Sequence, residues 1–232
     1  YHGATMGALA LGGSHLYPKI DYEPLMPGVF HVPQPLPYRC EFGGQTPEEC
    51  AELCVNAVEE MIKFQDPETI AAVVAEPVSS PLGCVVPGDN YWPRLREICD
   101  RYGCLLIADE VITGFGRTGK MFATEHWGVV PDIMTVAKGI TSGYIPMGGA
   151  ITRAAISDAF IGSPRATFNH VITFGGHPVA AAASLKNIQI MEEEGMVENS
   201  ARMGSYLFDG LKEMKEKYKM IGDVRGLGLF CG

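Results

Sequence analysis

Three ionisable residues in this sequence each follow a run of apolar ones: Glu76 after "TIAAVVA", Asp109 after "CLLIA" and Lys138 after "DIMTVA". A lysine amine is nucleophilic only when neutral, and burial lowers its pKa towards that form. A neutral amine can add to an aldehyde to give an imine. If the aldehyde sits on a nitrogen-bearing ring, a carboxylate that keeps the ring nitrogen protonated turns the ring into an electron sink. Lys138 and Asp109 have the right types and order for that division of labour. Each also has a simpler reading. Lys138 could mark a strand reaching water, Asp109 could anchor a loop or cap a helix, and Glu76 could be a solvated strand end.

The elements around these residues decide whether they meet. Residues 14–45 are rich in Pro, Gly and Tyr without a period and read as a long ordered loop. Thr46, Pro47 and Glu49 then give a helix start, with Thr46 as N-cap and Glu49 completing a capping box. Cys50, Leu53, Cys54, Ala57, Val58, Met61 and Ile62 follow at the three–four spacing of one buried helix face. Residues 69–77 read as a strand buried on both faces, 90–102 as a helix closed by Gly103, and 104–110 as the next strand. The strand before Lys138, a strand at 148–153, and helices over 178–194 and 196–218 complete the pattern. Helices between continuous apolar strands predict an α/β fold. We expect a three-layer α/β/α sandwich with a mostly parallel central sheet, over residues 1–190, followed by the start of a smaller α+β domain at 191–232. Ligands gather at the carboxyl ends of strands in such sheets, and that is where Glu76, Asp109 and Lys138 fall.

"GFGRTGK" at 114–120 imitates two nucleotide-binding patterns, GxGxxG and GxxxxGK. The dinucleotide reading needs a full helix after the glycines, and Gly128 and Pro131 cut the helical patch short. The P-loop reading needs a hydroxyl after the lysine, where Met121 stands. Both readings are set aside.

Bulk composition narrows the partners. The chain has 232 residues with 27 acidic and 18 basic, a formal net charge of −9, which argues against nucleic acid or an anionic membrane surface. "LKEMKEKYK" at 211–219 alternates its sign and reads as a solvated helix face. Seven cysteines contain no CxxC pair and six histidines no HExxH spacing. This predicts core thiols in a reducing, cytoplasmic compartment and no metal site. No run approaches the roughly 20 apolar residues a membrane helix needs. The first residues "YHGATMGALALGG" and the last "GLGLFCG" read as cuts through a larger protein.

Taken with their neighbours, these residues resemble the class III, fold type I aminotransferases, which use pyridoxal 5'-phosphate (PLP). The matching stretches are "YHGATMGA" (1–8), "AEPV" (75–78), the continuous run at 105–151, "TFGGHPVAAAA" (173–183) and "VRGLGLF" (224–230). The resemblance implies that Lys138 is the Schiff-base lysine that also moves the substrate proton, and that Asp109 is the partner of the pyridine nitrogen. It implies that Val111 packs on one face of the ring and Tyr1 stacks on the other. Thr173 would reach the phosphate of the neighbouring subunit's cofactor, making the enzyme a homodimer with shared sites, or a tetramer built from such dimers. Glu76 would be a supporting group. The family's phosphate-cradling Gly-Ser segment and a carboxylate-binding arginine would lie outside this chain. Pro81 and Ile112 stand where members acting on ornithine or γ-aminobutyrate carry Glu and Gln. The pattern therefore leans towards ω-amino acid or amine:pyruvate aminotransferases working by a ping-pong mechanism. Alternatives are the aminotransferase that forms 7,8-diaminopelargonate and, from another class, a non-catalytic PLP-fold protein or an inactive truncation. A glutamate semialdehyde aminomutase fits "GITSGYIPMGG" less well.

Overall fold

A computed structural model describes residues 1–14 and 19–232. Part of the loop expected over 14–45 thus lies outside the described residues, and the remainder includes short 3-10 turns at Ile20–Tyr22 and Pro37–Arg39.

In chain order the regular elements are helix α1 (Met6–Leu11), helix α2 (Pro47–Phe64), strand β1 (Ala72–Ala75), helix α3 (Tyr91–Tyr102), strand β2 (Leu105–Asp109), strand β3 (Ile133–Val136), strand β4 (Gly149–Thr152), helix α4 (Ala154–Asp158), helix α5 (Pro178–Glu193), helix α6 (Met196–Lys217) and strands β5 (Gly226–Leu227) and β6 (Phe230–Cys231). Strands β1 to β4 form one sheet in sequence order. β1–β2 and β2–β3 pair in parallel and β3–β4 antiparallel, so the sheet is mostly parallel. β5 and β6 form a separate hairpin.

α2 begins as its sequence predicts at the N-cap: the Glu49 N–H donates to Thr46 Oγ1 at 3.1 Å. The return bond differs from the expected capping box. The Glu49 carboxylate accepts from the Gln45 N–H, one residue earlier. The buried face of α2 is also rotated from the expected one. Ala51 and Val55 are buried and Leu53 is 37% exposed, because α3 and β2 approach on the side of Cys50, Cys54 and Val58. α3 ends where expected, with Gly103 in the left-handed conformation at φ 69°.

The larger core cluster joins Cys54, Val55 and Val58 of α2 to Trp92, Leu95 and Ile98 of α3 and to Leu106 and Ala108 of β2. A second cluster packs Val136 and Met134 of β3 on Met191 of α5 and Val197 of α6, with Phe115 between them. Ala108 and Met134 are register partners, so both clusters lie on one face of the sheet. The opposite face carries Ile107, Asp109 and Thr135. There β1 departs from the expected strand buried on both sides, with Val74 43% exposed, because α2 and α3 pack on the other side.

After β2 the chain makes a series of turns rather than a nucleotide-binding helix. Phe115 (φ 62°) and Gly116 (φ 87°) turn back so that both N–H groups donate to the Met121 carbonyl, and only a 3-10 turn, Ala123–Trp127, follows. Glu110 holds this loop from inside. It is fully buried, accepts from the Thr113 hydroxyl at 2.5 Å and from the Thr124 N–H at 2.9 Å, and burial pushes its carboxyl above the usual range.

Candidate active site

Asp109 is the last residue of β2, Glu76 follows the end of β1, and Lys138 opens a single 3-10 turn (Lys138–Ile140) two positions after β3. Parallel pairing of β1, β2 and β3 brings all three to one rim. Lys138 is not a continuation of its strand: its φ of 45° is left-handed, a conformation uncommon for a residue with a Cβ.

His2 joins these groups. Its Nε2 lies 2.7 Å from Lys138 Nζ, and its Nδ1 lies 2.9 Å from Asp109 Oδ2 and 3.9 Å from Glu76 Oε1. An ionised carboxylate can only accept, so Nδ1 carries the proton facing Asp109. Asp109 Oδ1 accepts from the Val111 N–H and the Thr135 hydroxyl, both at 3.1 Å. A carboxylate offers about four acceptor positions. Among the described residues three are filled, and the remaining one, on Oδ2, suits a further N–H donor. Glu76 Oε2 accepts from the Ser80 N–H at 2.8 Å. Lys138 Nζ also stands 5.9 Å from the centroid of the Tyr1 ring, and the Tyr1 and His2 rings are 4.8 Å apart.

The environment separates the two carboxylates. Burial would raise the Asp109 carboxyl, but the His2 hydrogen bond and charge, with the Val111 N–H and the Thr135 hydroxyl, bring it below its ordinary value. Burial wins at Glu76, aided by the negative charge of Asp109, and its carboxyl is raised. Burial also lowers the Lys138 ammonium, outweighing the attraction of Asp109 and Glu76, and Arg117 adds to the depression. The arrangement therefore offers an ionised carboxylate with a spare acceptor, an amine shifted towards its neutral form, and a flat aromatic face beside it.

The structure brings together Lys138, Asp109, Tyr1 and Val111 of the residues singled out in the sequence, with Glu76 at the edge. Thr173 is exposed on the stretch before α5, and no hydrogen bond among the described residues links it to the others. Sequence reasoning used His2 only to complete a motif and missed its place between Lys138 and Asp109. It also missed Thr135, whose signal was a hydroxyl inside the otherwise apolar run "IMTV". His2, Glu76 and Asp109 each bring a possible metal-ligand atom within 4.8 Å of the others. Ligand spacing along the sequence gave no sign of this trio, since its members come from three distant segments.

A mostly parallel sheet whose rim carries a lysine, an aspartate and an aromatic ring has the arrangement that the sequence motifs suggested. The chain belongs to the class III aminotransferases: the model of that family matches residues 1–232. It is 42% identical over 238 residues to a taurine–pyruvate aminotransferase of Bilophila wadsworthia, covering 100% of this chain and 51% of that protein. It is 41% identical over 231 residues to a putrescine–pyruvate aminotransferase of Pseudomonas aeruginosa, covering 99% of this chain and 49% of that protein. Among solved structures, an amine transaminase from an uncultivated Pseudomonas species in its PLP-bound form superposes with a TM-score of 0.93 at 42% identity. That match covers 98% of this chain and 52% of the other, and shows the expected α/β fold. The chain thus spans about half the length of the relatives it matches. Among the described residues, no helix is long and apolar enough to cross a membrane.

Proposed function

We propose that the whole protein is a PLP-dependent aminotransferase that moves an amino group from an ω-amino acid or primary amine to a 2-oxo acid such as pyruvate. The observation that carries this reading is the chain Lys138–His2–Asp109 beside the Tyr1 ring, with one acceptor position left on Asp109 Oδ2. The donor set fits PLP: an amine for its aldehyde, a carboxylate for its ring nitrogen and an aromatic face for its ring. When bound, PLP supplies the electron sink that makes a substrate carbon–hydrogen bond acidic.

The protein's own groups do the rest. Lys138 Nζ would hold the cofactor at its aldehyde and, as a neutral amine, would move the proton at the substrate carbon. Asp109 keeps a proton on the ring nitrogen, and His2 holds Asp109 ionised and oriented. Tyr1 and Val111 would flank the ring. Thr173 would present its hydroxyl to the phosphate in the partner subunit's site, within a homodimer with shared sites. In this reading residues 1–190 belong to the cofactor-binding domain and 191–232 open the small domain. All seven cysteines are free thiols, which suits a reducing compartment, and we assign the enzyme to the cytoplasm.

Pro81 and Ile112 support an amine or ω-amino acid donor over ornithine or γ-aminobutyrate, as do the names of the taurine and putrescine relatives. The test is a donor panel of β-alanine, taurine, putrescine, 1-phenylethylamine and S-adenosylmethionine against pyruvate on the full-length protein, with alanine as the measured product. At least one donor is expected to yield alanine stoichiometrically with its own deamination. Alanine from none of them overturns the amine:pyruvate assignment.

A further inference from the structure

The turn that carries Lys138 is held by a residue with no part in the chemistry so far described. Lys138 (φ 45°) and Ser142 (φ 50°) are both left-handed, and residues with a Cβ keep such values only when their surroundings fix them. Two of the turn's backbone hydrogen bonds are long: Thr141 N donates to Lys138 O, and Ser142 N to Gly139 O, each at 3.3 Å. Ile140 N donates to Ala137 O at 3.1 Å and the Thr141 hydroxyl to Ile145 O at 2.7 Å.

Asn187 of α5 adds a constraint from outside the turn. Its Nδ2 donates to Gly139 O at 2.9 Å and Ile140 O at 3.2 Å, while the Ser142 hydroxyl donates to its Oδ1 at 2.6 Å. Backbone carbonyls only accept, so the NH2 end of the amide must face the turn, and Ser142 then completes the other end. One side chain thereby ties three successive parts of the turn to a sixteen-residue helix. The opposite side is closed by the "GFG" loop. A Cβ added to Gly139 would stand 3.0 Å from Phe115 Cβ and 3.3 Å from the Gly114 carbonyl. The glycine-rich motif that imitates a nucleotide site is thus a backing for the lysine turn.

We propose that Asn187 is a positioning residue: by clamping residues 139–142 it holds Lys138 in its left-handed conformation and keeps Nζ aimed at the site shared with His2 and Asp109. This rests on the reading of Lys138 as the cofactor lysine. Asn187 itself touches neither substrate nor reacting atoms. Its effect is on the placement of the amine, and a displacement of about 1 Å is enough to cost roughly a hundred-fold in rate.

The test compares Asn187→Asp and Ser142→Ala with the wild type in the full-length protein. The aspartate keeps the size and can accept from Ser142 but cannot donate to the two carbonyls. Asn187→Asp is expected to lower kcat about ten- to a hundred-fold with KM nearly unchanged, and to shift the pH midpoint of the cofactor's visible absorption band. It should also speed amide hydrogen exchange of the peptide spanning 138–144, with PLP and without it. Ser142→Ala should change the same three quantities in the same direction and by less. If both variants keep wild-type kcat, midpoint and exchange, the proposal is overturned. It is equally overturned if exchange rises throughout α5 and thermal stability falls while Ser142→Ala behaves as wild type, for then Asn187 only holds the helix. Should Asn187→Asp fail to fold, Ser142→Ala decides alone on the same readouts. Failure of the underlying reading is separate: Lys138→Ala that retains both the wild-type visible band and turnover would remove the cofactor role of Lys138, whatever Asn187 does.

Discussion

His2 and Asp109, which stand 107 positions apart, meet with Nδ1 2.9 Å from Oδ2. The bond fixes both partners: it places the imidazole proton on Nδ1 and opposes the burial that would otherwise raise the carboxyl. A hydrogen bond to a charged group contributes about 1.5–3 kcal/mol, or roughly a ten- to hundred-fold change in an equilibrium. His2→Phe keeps a ring beside Tyr1 and removes the N–H. PLP affinity should fall by about that factor, measured by titrating the cofactor-free full-length protein and following the visible band. Unchanged affinity would show that Asp109 needs no such partner.

Glu76 gives a pH-dependent prediction of known sign. Its carboxyl is raised above the ordinary 4.5, so the folded state favours the protonated form. Its contribution is therefore favourable below the unfolded pKa and lost as pH rises through the folded one. Glu76→Gln retains an acceptor for the Ser80 N–H and removes the charge. Thermal unfolding should occur at a higher temperature than in the wild type at pH 7, and the difference should vanish by about pH 4. A variant less stable than wild type at pH 7 would mean that attraction to His2 outweighs burial.

The tail hairpin makes a steric prediction. A Cβ on Gly204 of α6 would lie 2.3 Å from the Gly228 backbone, and Gly228 itself has φ 55°. Nothing there is a flexible side chain that could swing away, so Gly204→Ala must part α6 from the β5–β6 turn. Overpacking of this kind costs about 1–3 kcal/mol. Chemical denaturation of the full-length protein should show a lower midpoint. An unaltered midpoint would mean that the two elements separate without loss.

The order and type of the main elements, though not the short helices α1 and α4, and the arrival of Lys138 and Asp109 at one rim were legible because they rest on local signals. Thr46, Pro47 and Gly103 mark helix ends, and apolar runs mark strands. What was not legible depends on approach in three dimensions. Which side of α2 is buried follows from where α3 packs, so Leu53 and Val55 exchanged places relative to the helical period. His2 is one residue from a recognised aromatic, yet its partners lie more than seventy positions away and no spacing announces them. Asn187 reads in sequence as one polar residue on a helix. Only the left-handed turn opposite gives its amide a purpose.

The thiols differ in environment. Burial pushes Cys50 up to about 11 and Cys54 up to about 12. Burial also acts to raise Cys40, but the Cys50 thiol and the N–H groups of Phe42, Gly44 and Gly43 bring it below 9.0. Since the thiolate is the nucleophile, brief alkylation with iodoacetamide under native conditions should label Cys40 before Cys50 or Cys54 in a peptide mass map. Equal labelling of the three would contradict the ordering.

The central claim is that Lys138 holds the cofactor. Full-length wild-type protein and Lys138→Ala, each incubated with PLP and desalted, can be compared by visible absorption and by alanine formation from pyruvate and the donor amine that the panel identifies. We predict a visible band and turnover in the wild type, and neither in Lys138→Ala at an unchanged fold by circular dichroism. A folded Lys138→Ala protein that keeps both the band and the turnover would contradict the account.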